Sequence, residues 1–91
     1  MSEPAYRLLV ASSAERALAR LPEKAAAAVV EFATRALVDA PRAVGHPVQR
    51  ELSGLWAARR GPYLVIYEID EDARIVSVLR VDHRADVYRS H

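Results

Sequence analysis

The stretch "ARRGPYLVIYEIDED", residues 58–72, decides the fold because it holds a complete strand between two turn sequences. Aromatic and β-branched residues favour strands, and alternate residues of a strand face opposite sides of a sheet. One side of the predicted strand 63–69 carries Tyr63, Val65, Tyr67 and Ile69, and the other carries Leu64, Ile66 and Glu68. The first side has the stronger signal for burial, so the second side is the candidate for function.

The turn sequences at both ends of this strand predict an antiparallel sheet. Arg60, Gly61 and Pro62 separate it from a predicted strand at 55–59, and residues 70–73 separate it from another at 74–81. Links this short join antiparallel neighbours. We therefore expect three consecutive antiparallel strands.

The residues before this sheet predict one more strand and two helices. Residues 5–11 form a short aliphatic strand, and Ser12 with Glu15 makes the S-x-x-E pattern of a capping box. Pro22 ends the first helix and suits the first turn of a second, predicted over 23–40. The apolar stripe of this second helix is Ala26, Val29, Val30, Ala33, Leu37 and Ala40. With an irregular connection at 41–53, the fold class is α+β, in the order β-α-α-β-β-β.

Length and composition limit the class of protein. The 91 residues suffice for one small domain, 1–91, and an apolar fraction of 52% indicates a folding sequence. There is no cysteine, which excludes disulfides and thiolate chemistry. No stretch has the length of a membrane span or the apolar core of a signal peptide, so we expect a cytoplasmic protein.

Metal and phosphate-loop chemistry have no support in the sequence. His46, His83 and His91 are scattered, without the spacing of metal ligands, and the three glycines do not form a phosphate-binding loop. We expect no metal and no cofactor. His46 and His91 are interpreted as ordinary surface or core histidines.

A group of basic and aromatic residues lies at the ends of the predicted strands and beyond the last one. Its members are Arg59, Arg60, Arg80, His83, Arg84, Tyr88 and Arg89. In an antiparallel sheet the end of the first hairpin and the end of the last strand meet, so we expect Arg59, Arg60, His83 and Arg84 to come together at one edge. Arginines there would stabilise a phosphorane, while a histidine and a tyrosine would move protons or stack on a base during RNA cleavage. The other interpretation of the same pattern is that these arginines are solvated side chains at the ends of the strands, without a catalytic role.

Three segments in register resemble the toxins of the RelE/ParE superfamily, especially the RelE branch. They are "AERALARLPEKAAAAVVEF" at 14–32, "GLWAARRGPYLVIYEIDED" at 54–72 and "VLRVDHRADVYR" at 78–89. The resemblance extends from residue 6 to residue 89. It implies a toxin of a type II toxin–antitoxin pair, with two helices packed on a curved sheet. In the RelE branch it further implies an enzyme that enters the ribosomal A site and cleaves mRNA.

The resemblance also assigns roles to individual residues. Arg59 matches a basic position on the strand after the helices, Arg84 the C-terminal catalytic arginine, and Tyr88 the C-terminal tyrosine. His83 stands where many relatives have histidine or lysine. These four are the expected catalytic residues, and Arg60, Arg80 and Arg89 are expected to bind RNA.

The chain departs from the family pattern at two positions. Leu64 stands where relatives often have an arginine that contacts the scissile phosphate, and Ala57 stands where a basic residue often follows the "GLW" position. A lost phosphate contact costs on the order of 2 to 4 kcal/mol of transition-state stabilisation. The alternative is therefore a relative that binds its antitoxin without cleaving RNA, or a ParE-like gyrase poison. In both cases the expected partner is a RelB-like antitoxin whose amphipathic segment lies across sheet and helices, with ribosome and mRNA as further partners in the first.

Overall fold

A computed structural model of the chain describes residues 5–48 and 54–83. These residues form helices packed on a sheet. The strands are β1 (Arg7–Val10), β2 (His46–Pro47), β3 (Leu55–Arg60), β4 (Tyr63–Asp70) and β5 (Ile75–His83). The helices are α1 (Ser12–Arg20), α2 (Glu23–Phe32) and α3 (Pro41–Val44). The strand order is β1-β5-β4-β3-β2, parallel between β1 and β5 and antiparallel elsewhere. This confirms the predicted α+β class and its mostly antiparallel sheet.

The hydrophobic core lies between the helices and one face of the sheet, here called the helix face. Val65 and Tyr67 of β4 are fully buried on this face, together with Ala58 of β3 and Val78 of β5. The helices contribute Val29 and Leu37. Val65 and Tyr67 lie on the side of β4 that the sequence predicted to be buried, together with Tyr63 and Ile69, so the predicted alternation is confirmed.

The start of α1 differs from the predicted capping box. The residue before the helix is Ala11, and no side chain caps it. Ser12 is already helical, and the neighbouring Ser13 hydroxyl donates to the Leu79 carbonyl oxygen at 2.7 Å. The serine that was expected to cap the helix is one position too late to do so, and the next serine ties α1 to β5.

The second helix is shorter than predicted as a pure α-helix. After Phe32 it continues as a π-helical turn, Ala33–Leu37. The extra residue in this wider turn changes which side chains face the sheet. Val38, which follows the turn and lay outside the predicted stripe, is buried next to Leu37. Val30, at the edge of the predicted stripe before the turn, is 45% exposed.

The described part of the connection, residues 41–48, contains a short helix and a short strand, whereas the sequence predicted an irregular segment over 41–53; residues 49–53 lie outside the described residues. Pro41 stands at the first position of α3, and β2 pairs with β3 through only two residues. The hydroxyl of Tyr67 donates to the Pro41 carbonyl oxygen at 2.6 Å and so anchors α3 to the core. Elements of four and two residues are too short to produce a periodic pattern, which is why the sequence did not reveal them.

An ion-pair cluster closes the end of the sheet where β4 turns into β5. Glu71 accepts from Arg42 at 2.6 Å, from Arg74 at 3.2 Å and from the Tyr6 hydroxyl at 2.9 Å. The guanidinium of Arg74 lies 4.1 Å from the centre of the Tyr6 ring. The hydrogen bond from Arg42 is the main reason that the pKa of Glu71 is lowered from its usual value. This cluster joins the residue before β1, α3 and the β4–β5 turn.

The three long strands have nearly the predicted bounds. One irregularity was not predicted: Ile66 pairs with Arg80 but Tyr67 pairs with Val78, so Leu79 is an extra residue in β5. Such a bulge lets β5 keep buried residues on the helix face on both sides of it. None of the helices in the described ranges is long and apolar enough to cross a membrane.

Candidate functional site

The face of the sheet away from the helices, here called the open face, carries aliphatic side chains with charged ones beside them toward both ends. Leu55, Leu64, Ile66 and Ile75 are half-buried there. Arg59 and Arg80 are exposed toward one end, and Glu68 and Asp70 are exposed toward the other. A polyanion is favoured most at the arginine end, because at the other end two carboxylates oppose it and Arg7 of β1, which pairs with Ile75, offsets only part of their charge.

Arg59, Leu64 and Asp82 form one row across the open face. Arg59 pairs with Leu64 in β3 and β4, and Leu64 pairs with Asp82 in β4 and β5. Directly opposed residues of antiparallel strands share a face, and neighbouring strands lie about 4.8 Å apart. The residue that departs from the family pattern therefore lies midway between a cation and an anion.

Arg80 lies in the next row and is held by that anion. Its Nη2 donates to Oδ2 of Asp82 at 2.6 Å. The Arg80 side chain is 64% exposed, whereas the Asp82 side chain is 22% exposed. The carboxylate fixes the guanidinium next to Leu64 and also cancels part of its charge toward an approaching phosphate.

Arg60 and His83 belong to the opposite face. Arg60 pairs with Tyr63, and Tyr63 pairs with His83, so these three share the face that carries Val65 and Tyr67. The rings of Tyr63 and His83 meet edge to face with centroids 5.3 Å apart. The strand ends do meet at one edge as predicted, but the alternation of the strands sends Arg59 to one side and Arg60 with His83 to the other.

One histidine that the sequence interpretation set aside lies on the open face. His46 of β2 lies in the same row across the sheet as Arg80. The row runs from His46 through Ala57 and Ile66 to Arg80. His46 is exposed, and it is the open-face imidazole among the described residues. Its position depends on the two-residue strand β2, so no sequence pattern announced it.

Three predicted site residues, Arg84, Tyr88 and Arg89, lie outside the described residues. Their roles remain predictions from the resemblance. Within residues 5–48 and 54–83, no three His, Asp or Glu side chains come together in a group that could hold a metal ion.

Comparison with known proteins identifies the family. A family model described as the ParE toxin of the type II toxin–antitoxin system parDE matches residues 8–88. The chain belongs to this toxin family. The toxin is 49% identical to Toxin RelG of Mycobacterium tuberculosis over 84 residues, which cover 92% of this chain and 97% of RelG. It is 42% identical to Toxin RelE of the same organism over 84 residues, 92% of this chain and 87% of RelE. The predicted membership of the RelE/ParE superfamily is confirmed.

Solved structures agree with this assignment. A chain of the RelBE2 toxin–antitoxin complex from Mycobacterium tuberculosis is similar to the toxin with a TM-score of 0.85 and 46% identity, covering 90% of this chain and 100% of that chain. A chain of the archaeal RelE–RelB complex from Pyrococcus horikoshii gives a TM-score of 0.68 at 26% identity, covering 94% and 99%. Isolated RelE from E. coli gives 0.69 at 19% identity, covering 92% of each chain, and shows the shared fold alone.

Proposed function

We propose that this toxin is a metal-independent endoribonuclease that cleaves mRNA on the ribosome and so inhibits translation. The observation that carries the proposal is the pair of exposed arginines, Arg59 and Arg80, on either side of Leu64 on the open face. Their Cα atoms are two strands and two residues apart, about 12 Å from strand geometry. Two long side chains at this separation can converge on one phosphate above Leu64.

The chemistry requires charge stabilisation and proton transfer but no further group. A ribose 2′-oxygen attacks the adjacent phosphorus, the bond to the 5′-oxygen breaks, and one proton leaves the 2′-hydroxyl while another joins the leaving oxygen. Arg59 and Arg80 stabilise the charge that develops on the phosphorane. His46 is the described imidazole on this face, while His83 lies on the other. Arg84 and Tyr88 are proposed to complete the site, as in the family pattern.

Cleavage of mRNA on programmed ribosomes, mapped by primer extension, tests this proposal. Arg59→Ala and Arg80→Ala should each slow cleavage by about a hundredfold, the effect expected for one charge-stabilising group. Arg35→Ala, an exposed arginine on the helical side, is the matched control and should cleave normally. A single 2′-deoxynucleotide at the mapped position of the mRNA should abolish the cut. Intact mRNA with the unaltered toxin, or cleavage of the 2′-deoxy message, would refute the proposal.

A second candidate function follows from Leu64 and Asp82. An aliphatic side chain occupies the middle of the arginine end, and a carboxylate already pairs with Arg80. Both features weaken binding of a phosphate and favour a toxin that acts by protein contact, such as a gyrase poison. Leu64→Arg combined with Ala57→Arg should raise RNA cleavage if the first proposal holds. If the double variant stays inactive on ribosomes while the unaltered toxin inhibits gyrase supercoiling, the second function is correct.

We further propose that a RelB-like antitoxin binds and neutralises this toxin. The proposal is supported by the family, whose members named above include toxins solved as complexes with their antitoxins. Expression of the toxin with and without the small gene beside it, scored by growth, tests the pairing. Growth arrest that the neighbouring gene does not relieve, together with a toxin that purifies alone, would contradict it.

A further inference from the structure

The open face continues beyond its two arginines to the edge strand β2, which carries His46. His46 lies in the same row as Arg80, three strand spacings away, or about 14 Å between Cα atoms. It lies one strand and two residues from Arg59, or about 8 Å. Arg80, Arg59 and His46 therefore mark a path across the open face. The path ends at the edge of the sheet, where a bound chain can leave it.

The imidazole of His46 is free to contact a ligand. His46 is exposed on the open face. Within residues 5–48 and 54–83 its side chain makes no hydrogen bond or ion pair, whereas Arg80 is held by Asp82. A ligand that approaches His46 therefore does not have to displace a partner from the described part of the chain.

The charges around His46 favour an anion. Arg59 is the charged residue of β3 that shares its face, and the carboxylate of Glu68 on β4 is farther away, two strands and two residues or about 12 Å between Cα atoms. Arg42 of α3, the helix before β2, is paired with Glu71. A protonated imidazole therefore adds to the positive potential around Arg59, and no carboxylate among the residues that the structure describes pairs with it.

We infer that His46 binds a phosphate of the RNA chain next to the cleaved one, and that this contact strengthens as the pH falls. The inference rests on the proposed function, in which the reacting phosphate lies above Leu64. His46 is two strands and two residues from Leu64, about 12 Å, which is too far for its short side chain to reach that phosphate. An imidazole becomes positively charged near neutral pH, and cations contact RNA largely through its phosphates. His46 is thus assigned to binding of a flanking nucleotide and not to proton transfer.

Binding of single-stranded RNA to the full-length toxin, measured without ribosomes, tests this inference. The probe is a 2′-O-methyl oligouridylate of about ten nucleotides, whose blocked 2′-oxygens cannot attack phosphorus. His46→Gln should weaken binding about threefold to tenfold near pH 5.5 and less than twofold near pH 8.5, because only the protonated imidazole attracts a phosphate. Near pH 5.5 the same variant should lower the slope of log affinity against log salt by about 0.7, the value for one phosphate contact.

Three further variants separate the charge at this position from other effects. His46→Lys keeps its positive charge and should bind the probe more tightly than the unaltered toxin near pH 8.5. The double variant His46→Gln with Pro47→His moves the imidazole one residue along β2, to the other face of the sheet, and should bind no better than His46→Gln. Arg35→Gln removes one exposed charge on the helical side and should change the affinity less than twofold at both pH values. Thermal unfolding of each variant checks that the fold is retained.

Several results would overturn the inference. They are an equal effect of His46→Gln at the two pH values, recovery of binding in the double variant, and absence of saturable binding by the unaltered toxin. The cleavage proposal fails separately. If ribosomes with the unaltered toxin keep their mRNA intact while probe binding depends on His46, the cleavage proposal is wrong and this inference stands. If cleavage is normal while His46→Gln binds the probe like the unaltered toxin near pH 5.5, only this inference is wrong.

Discussion

The free energy of unfolding of this toxin should depend on the buried hydroxyl group of Tyr67. The hydroxyl donates to the Pro41 carbonyl oxygen at 2.6 Å, and the residue is 0% exposed. Tyr67→Phe removes the donor but leaves the carbonyl of Pro41 buried without it. A buried polar group that loses its partner costs about 1–3 kcal/mol. We expect the free energy of unfolding to fall by this amount at pH 8.

The same hydroxyl gives the effect a pH dependence. Burial raises the pKa of Tyr67 to about 12 from an ordinary value of 10.0. A folded-state pKa above the unfolded one means that the protonated hydroxyl stabilises the fold below pH 10, and that this contribution is lost as the pH rises toward 12. The loss amounts to about 1.4 kcal/mol at pH 11 and about 2.7 kcal/mol well above pH 12. Phenylalanine does not ionise, so its contribution to stability does not change in this way. The difference in free energy of unfolding between the unaltered chain and Tyr67→Phe should therefore shrink between pH 8 and pH 11.

Urea unfolding followed by circular dichroism at pH 8 and pH 11 measures both effects. Tyr63→Phe is the matched control, since this tyrosine is only half-buried, and it should change the free energy of unfolding by less than about 0.5 kcal/mol. If Tyr67→Phe is no more destabilising than Tyr63→Phe at pH 8, the hydrogen bond contributes nothing. If the difference between Tyr67→Phe and the unaltered chain is the same at both pH values, the raised pKa is wrong.

Three other predictions concern single residues. Gly45→Ala should lower the free energy of unfolding by about 1–3 kcal/mol in urea titrations, because a Cβ there would lie 2.7 Å from the Ala57 carbonyl oxygen and still closer to the hydroxyl of Tyr67. Glu71→Gln should lower the melting temperature at pH 7. Because the pKa of Glu71 is lowered in the fold, its carboxylate stabilises the fold above pH 4.5, and this contribution is lost once the carboxylate is protonated. The difference in melting temperature should therefore vanish well below pH 4.5. Asp82→Asn should tighten binding of single-stranded RNA by about threefold to tenfold in filter-binding assays by releasing Arg80, whereas Asp39→Asn, with the same change of charge on the helical side, should have a smaller effect.

Most of the fold could be predicted because its main elements are long enough to show a period. The alternation in β4 and the turn residues around it gave three strands with bounds accurate to within two residues. The π-helical turn at Ala33–Leu37, the bulge at Leu79 and the short elements α3 and β2 could not be predicted. The two short elements depend on contacts with distant residues, Tyr67 with Pro41 and β2 with β3, which local periodicity does not reveal.

For the predicted site residues that the structure describes, position along the strands was easier to predict than the face of the sheet. The sequence indicated which residues lie near the ends of the strands, but it did not separate the two faces for the whole group. Applying the alternation of β4 to its neighbours would have placed Arg60 opposite Tyr63 and so on the helix side. The position of His46 could not be obtained in this way, because it requires knowing that β2 pairs with β3.

The separation of Arg59 from Arg60 is fixed by the small residues that precede them. Ala58 is 1% exposed beneath the helices, and a shift of β3 by one residue would move Arg59 into its place. Such a shift exchanges the two faces of the strand and would bury an unpaired guanidinium, at a cost of several kcal/mol. The register therefore keeps Arg59 on the open face and Arg60 on the helix side. Because adjacent side chains of β3 face opposite sides of the sheet, a substitution of Arg60 changes the charge on the helix side without changing the charge on the open face, where RNA is proposed to bind.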